Sequence, residues 1–500
     1  MSHALVVINH AQTTSPRHWK PPSTWAKSMS AITHSPAPDR MTIMNAVGRS
    51  FAAAVVTMLA ALATLACALA IDPEPGPGVL AVVLCLSFSR SHLDHDLRGR
   101  LEAAFALPLV GLVVTGVGML LHRAPWAGAA VFVVGISLSI WIRQFGLMAR
   151  RAGSLIALPF IAILTTPYIP TKHVGPLMAI FVPIIVALLA LVWVAAFQAL
   201  ARWAHLLPPL REPTPTAAAF KQESALRPSA STRMAIQMAV ALAISFLVGY
   251  VFFAERWAWI VLTAFIVNSG NRGRLDVAYK SVLRVMGAAA GTIVALLLAF
   301  HIGSHDATTI ALILVSVFLG LWLRPFNYAW WALFVTMALA LLQGFNGTST
   351  QNIFGLRLEE IVIGAVIGVV SAWLIYPVRS TVVLRRRIAD ALAALSEALD
   401  PASPVRTHHT FVAAIGSVEQ VAPAFKASRL IARRFTPNHP ADWIDALLAC
   451  HAPAVALIHR GETPGHVRKA VGAARKAMRE PEGLLPALHM LRDALVRHDG

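Results

Sequence analysis

The chain has 500 residues, 57% hydrophobic and only 13% charged, with a mean hydropathy of +0.65. Soluble domains carry about 25% charged residues, so this composition excludes an ordinary soluble globular class. The net charge of +18 does not indicate nucleic acid as a partner, because the basic residues gather at the ends of apolar runs and in the tail, where membrane topology places them.

Residues 1–45 are polar and rich in Ser, Thr, Pro and His. They read as a disordered cytoplasmic tail without a removable signal peptide, and Met41 and Met44 are alternative starts. Twelve apolar segments follow. The first six are roughly 46–71, 77–89, 101–121, 125–142, 152–167 and 174–200. A Pro-rich linker covers 201–232. The second six are roughly 234–253, 257–268, 281–300, 307–323, 327–344 and 353–376. A helix needs about 20 apolar residues to cross a bilayer core, and only helices or closed barrels satisfy backbone polar groups in lipid. Barrel-type alternation is absent, so the expected class is an all-α polytopic membrane protein. From Pro377 to Gly500 the pattern turns charged and helical, around 384–399, 411–434, 442–459 and 466–478, and reads as a cytoplasmic helical domain.

Charge asymmetry orients the segments. Arg90, Arg98 and Arg100, then Arg143, Arg150 and Arg151, the linker, Arg272, Arg274 and Lys280, and Arg385–Arg387 fall in alternate connections. These belong in the cytoplasm, with both termini there too. Arg123, Lys172 and Arg256 are exceptions, one per outer connection. An internal repeat divides the membrane region into tandem six-segment halves, 46–200 and 233–376. Arg90, Leu93, Asp94 and Arg98 match Arg272, Leu275, Asp276 and Lys280, while Trp141, Arg143 and Phe145 match Trp322, Arg324 and Phe326, at nearly one offset. Six crossings per half give both halves the same orientation.

The run WIVLTAFIVNSGNRGRLDVAYKSVLRVMGAAAGTIVALLLA, with LWLRPFNYAWWALFVTMALALL and RLEEIVIGAVIGVVSAWLIYPVRS, resembles the fusaric acid resistance family, the aromatic acid exporters. The resemblance covers roughly 46–400 and is better in the second half. It implies an inner-membrane exporter of aromatic carboxylic acids driven by the proton gradient, with a periplasmic adaptor protein often completing the pump in Gram-negative cells. The linker here is short, unlike the large central cytoplasmic domain of bigger members.

Segments two and eight hold about 12–14 apolar residues, roughly 20 Å of helix. Short segments at corresponding places in two halves point to a transport site, or are simply tilted spans; Trp257 opens the second of them. Arg143 and Arg324 are repeat-related; a guanidinium fork suits a carboxylate, and a headgroup anchor is the alternative. Asp94, Arg98 and Glu102, like Asp276, Lys280 and Arg284, are spaced i, i+4, i+8. Each trio forms ion pairs on one helix face, or Asp94 and Asp276 carry the coupling proton. Glu359 and Glu360, beside Arg357, are further coupling candidates, since an intramembrane ionisable group is functional by default; an interfacial place is the alternative. Trp322, Phe326, Tyr328, Trp330 and Trp331 stack on an aromatic substrate or form an interfacial belt. Gly287–Gly291 and Gly364–Gly368 are packing spacings.

Phosphate-loop, HExxH, GxSxG and paired-Cys motifs are missing, and Cys67, Cys85 and Cys450 have no metal or redox spacing. The expected protein is therefore not an enzyme and has no cofactor or metal. Its expected partners are a small organic anion, the lipid bilayer, a periplasmic adaptor and a homo-oligomeric copy. A passive anion channel and a non-transporting scaffold are the rival functions.

Overall fold

A computed structural model describes residues 40–73, 75–89, 115–146, 176–207, 229–253, 256–299, 307–345, 350–402, 408–432 and 439–499, with scattered residues between 108 and 164. The chain divides into two units, Met1–Asn45 and Ala46–Gly500. Of the first, only the start of α1 is described. Among the described residues every regular element is helical.

The first membrane region contains α1 (Arg40–Ile71), α2 (Pro75–Phe88), α3 (Pro125–Trp141) and α4 (Pro176–Trp203). The second contains α5 (Ala230–Phe252), α6 (Trp257–Asn268), α7 (Arg274–Ala299), α8 (Ala307–Leu323), α9 (Tyr328–Phe345) and α10 (Thr350–Leu374). Then come α11 (Ser380–Ala398), α12 (His409–Glu419), α13 (Ala422–Ala432), α14 (Pro440–Ala449), α15 (His451–Arg460), α16 (Gly465–Ala477) and α17 (Pro481–Asp499). Residues 47–71, 125–145, 181–203, 230–252 and 274–298 are each long and apolar enough to cross a membrane. The chain is an all-α, multi-pass membrane protein.

Apolar segments three and five fall largely outside the described residues. Segments eight and ten have the expected bounds, 257–268 and 307–323. Segment nine begins at Arg274 rather than 281, because the charged run from Arg274 to Lys280 is itself helical.

Small residues bring the membrane helices together. Lipid tails are as apolar as leucine, so association rests on close backbone packing rather than on hydrophobic burial. A side chain at Gly364 would meet the Ile260 carbonyl at 2.5 Å, so α10 and α6 touch almost backbone to backbone. Gly287 and Gly291 seat α7 on α9 in the same way.

Polar side chains fix the registers. Thr57 and Ser89 pair at 2.6 Å and Cys85 donates to Thr64 at 3.2 Å, joining α1 to α2. α2 packs on α4 through Leu84, Phe88, Val186 and Val194. α3 runs antiparallel to α5. Tyr250 donates to the Pro125 carbonyl at 3.1 Å, and Ser229 donates to Gln144 at 2.7 Å near the other end. Phe132, Phe160 and Phe246 fill the space between them.

The α6–α7 connection is a polar knot. Buried Gln237 of α5 donates to the carbonyls of Ile375 and Tyr376 at 2.7 and 3.1 Å and accepts from Asn271 at 3.2 Å. Gly273 has φ 122°, and a side chain there would strike Ser380 at 2.7 Å, so only glycine fits both the backbone and the space. The Ser380 hydroxyl accepts from Leu275 N–H at 2.9 Å.

α11–α17 form a helical bundle around Leu384, Leu392, Phe411, Leu447, Leu488 and Leu491. The long helical patterns at 411–434 and 442–459 are each broken into two. Pro423 and Pro453 lack the amide for a continuous ladder, and each sits in the first turn of the following helix, where the loss is tolerated. By length and hydropathy alone 440–460 would also cross a membrane. It is instead two ten-residue helices, with Asp442 and Asp445 of α14 both paired to Arg429 at 2.7 Å. The bundle grips the membrane region at the knot: Arg272 donates to the Gln420 carbonyl at 3.1 Å.

Candidate functional site

Four ionisable side chains lie on three packed elements of the second membrane region. Arg357 and Glu360 lie one helical turn apart on α10 and are 3% and 1% exposed. Arg256 immediately precedes α6 and reaches Glu360, Nε to Oε1, at 3.4 Å. Arg284, on α7, which packs against α10, is 2% exposed. Beneath Arg357 lies the indole of Trp259, 4.0 Å from the guanidinium carbon to the ring centroid, a cation–π contact that offsets part of the desolvation.

Helix geometry sets the relative heights of these residues. The Trp373 indole donates to the Arg274 carbonyl at 3.3 Å, so the last turn of α10 lies beside the first turn of α7. From that shared end Arg284 stands ten residues up α7, about 15 Å, and Arg357 seventeen residues up α10, about 25 Å. The two positions therefore differ by about 10 Å in height. The approach of α6 to α10 at Gly364 puts Trp259 and Arg256 against the same stretch.

Hydrogen bonding here is incomplete. Both terminal nitrogens of Arg357, Nε of Arg284, one terminal nitrogen of Arg256 and Oε1 of Glu360 are buried without a hydrogen-bond partner among the described residues. The Arg256–Glu360 contact is at ion-pair distance but outside hydrogen-bond geometry. Leaving a buried charge unpaired costs several kcal/mol, so native folds rarely keep such groups without a use for them.

The other expected site residues fall elsewhere. Glu359 neighbours Glu360 in sequence but is exposed. Asp276 is almost fully buried and occupied: it pairs with Lys280 at 2.8 Å and accepts from Arg272 N–H at 3.3 Å, closing the first turn of α7. Arg284 does not continue that ion-pair row. Arg143 donates to the carbonyls of Ser139 and Gly153 at 3.2 and 3.4 Å. Arg324 lies 5.2 Å from the Trp331 ring, with one terminal nitrogen buried and unpartnered. Trp322 packs on Phe51 at 5.2 Å, and Phe326 is half exposed. Trp257 packs against Phe246 and Tyr250 at 5.2 and 5.4 Å. Asp94, Arg98 and Glu102 lie outside the described residues. Among the described residues no group of His, Cys, Asp or Glu could hold a metal ion.

Sequence reasoning did not single out Arg284, Arg256 or Trp259 as site residues. The signal was present for Arg284: it stands inside a run counted as an apolar crossing, where an arginine is expensive. Trp259 carried no such signal, since thirteen tryptophans are spread along the chain.

No solved structure matches the chain. The uncharacterized protein YhfK of Escherichia coli (strain K12) is 26% identical over 175 residues, 34% of this chain and 24% of its own length. The aligned part thus spans about a quarter of that relative. A family match covers the second membrane region and points in broad terms to membrane transport. Arg256, Trp259, Arg284, Arg357 and Glu360 all lie within residues 240–371, the stretch that matches the family described as fusaric acid resistance protein-like.

Proposed function

We propose that the protein is a proton-driven secondary transporter of the inner membrane that exports aromatic or similar hydrophobic carboxylic acids. In this reading both termini are cytoplasmic, 46–200 and 233–376 are tandem halves, and 377–500 is a cytoplasmic domain. The observation that carries the reading is buried Arg284, Arg357 and Glu360, with partly exposed Arg256 paired to Glu360, within the stretch that matches the family. Cations held in a membrane-embedded interior suit an anionic cargo, and a buried carboxylate beside them suits a proton exchanged once per cycle. Glu360 is the coupling group of this account. Exposed Glu359 and ion-paired Asp276 are less suited to it, and Asp94 remains a candidate by its place in the repeat. Arg324, with Trp322 and Phe326 close by, is a second place where a carboxylate and an aromatic ring would be met. Arg143, already bonded to two carbonyls, serves better as an anchor. Trp257 supports the wall of the short helix α6. A periplasmic adaptor and a homo-oligomer belong to the same proposal.

The test is accumulation of labelled aromatic acids in cells with and without the protein, each with and without a protonophore. Expression should lower accumulation, and the protonophore should restore it. The Glu360→Gln variant should lose export while reaching the membrane in normal amount. Lower accumulation that ignores the protonophore would identify a passive anion channel instead.

A further inference from the structure

We infer that the helical bundle carries a binding site for a free α-amino acid, in the cavity between the end of α11 and the start of α16. The inference goes beyond the transport reading and needs nothing from it.

α16 runs antiparallel to α11. Arg385, near the start of α11, donates to the Met478 carbonyl at the end of α16, and Arg475 donates to the Ser396 hydroxyl at 3.2 Å. Beyond that second bond the two helices enclose a cavity of about 360 Å³, within the range of about 300–1,000 Å³ usual for small-molecule sites. Its floor is apolar, made by fully buried Leu399 and Val471. Gly465 and Gly472 line it two turns apart on α16, and a side chain at either would meet nothing within 4 Å. Two missing side chains thus keep the space open.

The walls carry opposite charges. α11 contributes half-buried Asp400, and α16 contributes Arg468 and Lys469, both exposed. Elsewhere in the bundle opposite charges pair directly, Lys426 with Asp445 at 3.0 Å and Arg429 with Asp442 at 2.7 Å. Around this cavity they stay apart: among the described residues none of the three makes an ion pair. Asp400 uses one oxygen for its own turn, Oδ1 accepting from Ala402 N–H at 3.0 Å, and its second oxygen has no protein donor among the described residues. A ligand that fits must present a negative group to α16 and a positive group to α11. An α-amino acid carries both, one carbon apart, with a side chain between. Its carboxylate would take charge-assisted bonds from Arg468 and Lys469, its ammonium would face Asp400, and its side chain would lie on Leu399 and Val471. A simple anion would confront Asp400, and a simple amine would confront two cations, so both charged ends are required.

The experiment is isothermal titration of the purified full-length protein in nanodiscs of zwitterionic lipid with each of the twenty L-amino acids in turn. At least one should bind. For that amino acid, the analogue lacking the amino group and the analogue lacking the carboxyl group should each bind at least about tenfold more weakly. Asp400→Asn, which keeps the Ala402 bond through its amide oxygen, and the double variant Arg468→Gln with Lys469→Gln should each weaken binding by a similar factor. Gly472→Leu should abolish binding by filling the cavity, and Lys426→Gln, at an ion pair elsewhere in the bundle, should leave it unchanged. These positions other than Asp400 are exposed, and size-exclusion profiles identify any variant that fails to fold. Absence of binding by all twenty amino acids, equal binding of either single-charge analogue, or undiminished binding in both the Asp400→Asn and Gly472→Leu variants would each overturn the inference. Binding is read without a gradient or a cargo, so its outcome and that of the export assay are independent.

Discussion

Arginine is treated in opposite ways in the two parts of this molecule. In the helical bundle, Arg429 is held by Asp442 and Asp445, both at 2.7 Å, with roughly a third of each side chain still open to water. In the membrane region, Arg284 and Arg357 are almost wholly buried, and several of their nitrogens have no acceptor among the described residues. The bundle uses its charges to staple helices, in solvent, at low cost. At Arg284 and Arg357 the membrane region keeps charge dry and incompletely bonded among the described residues, at a cost in stability. The contrast separates charges that hold the fold from charges that cost stability without holding it.

The largest effect should come from the packing that creates the dry interior. Gly364→Leu would drive a side chain into the Ile260 backbone, which does not yield. Folded protein recovered from membranes should fall to background, and recovery at normal yield would show that α6 and α10 do not pack this closely.

Next in size is a pair of matched substitutions. Arg284→Met removes an unpaired buried charge and should raise the thermal stability of the purified protein by about 1–4 kcal/mol while abolishing export. Arg429→Met leaves two carboxylates facing each other at a partly exposed site. It should lower bundle stability by up to about 1 kcal/mol and leave export intact. Stability changes of the same sign in both variants would erase the distinction drawn between the two regions.

A smaller effect concerns pH. His439 caps α14: its Nδ1 accepts from Ala441 N–H at 3.1 Å and its Nε2 lies 3.2 Å from the Ser428 hydroxyl, which itself donates to the Phe425 carbonyl. The imidazole is therefore neutral with the proton on Nε2. Burial holds its pKa below the usual histidine value, the Arg429 charge adds to this, and Asp442 opposes it. Because the unfolded chain takes up the proton more readily, the cap contributes fully above about pH 6.5 and is lost as the pH falls below that. Hydrogen exchange in α14, corrected for intrinsic rates, should speed up between about pH 7 and pH 5.5. His439→Asn, which keeps a capping side chain, should flatten that dependence.

Smallest is Gly472→Ala on the exposed face of α16, where a methyl group meets nothing within 4 Å. It should stabilise the bundle by about 0.5–1 kcal/mol. Glycine substitution would thus be ruinous in one region and helpful in the other.

Much of the fold was legible because hydropathy and charge are local. Segments 257–268 and 307–323 end where Arg256, Ser269 and Arg324 interrupt the apolar run. The final helix, Pro481–Asp499, is not among the helical patterns read from the sequence, and it carries Pro481 and Pro486. Pro481 in fact opens the helix, where a missing amide costs nothing. The site was less legible, since convergence of α6, α7 and α10 depends on Gly364 and on the Trp373–Arg274 contact between helices far apart in sequence. Spacing alone placed Arg284 with Asp276 and Lys280 on one face. Only tertiary packing shows that Lys280 satisfies Asp276 and that Arg284 is buried with its Nε unpartnered among the described residues.

The most direct test is flux in proteoliposomes of the purified protein with an imposed proton gradient and labelled benzoate at equal concentration on both sides. The account predicts net benzoate movement against its own rising gradient, abolished by a protonophore and by Glu360→Gln. Benzoate movement that only dissipates a benzoate gradient, indifferent to the proton gradient and to Glu360, would contradict it.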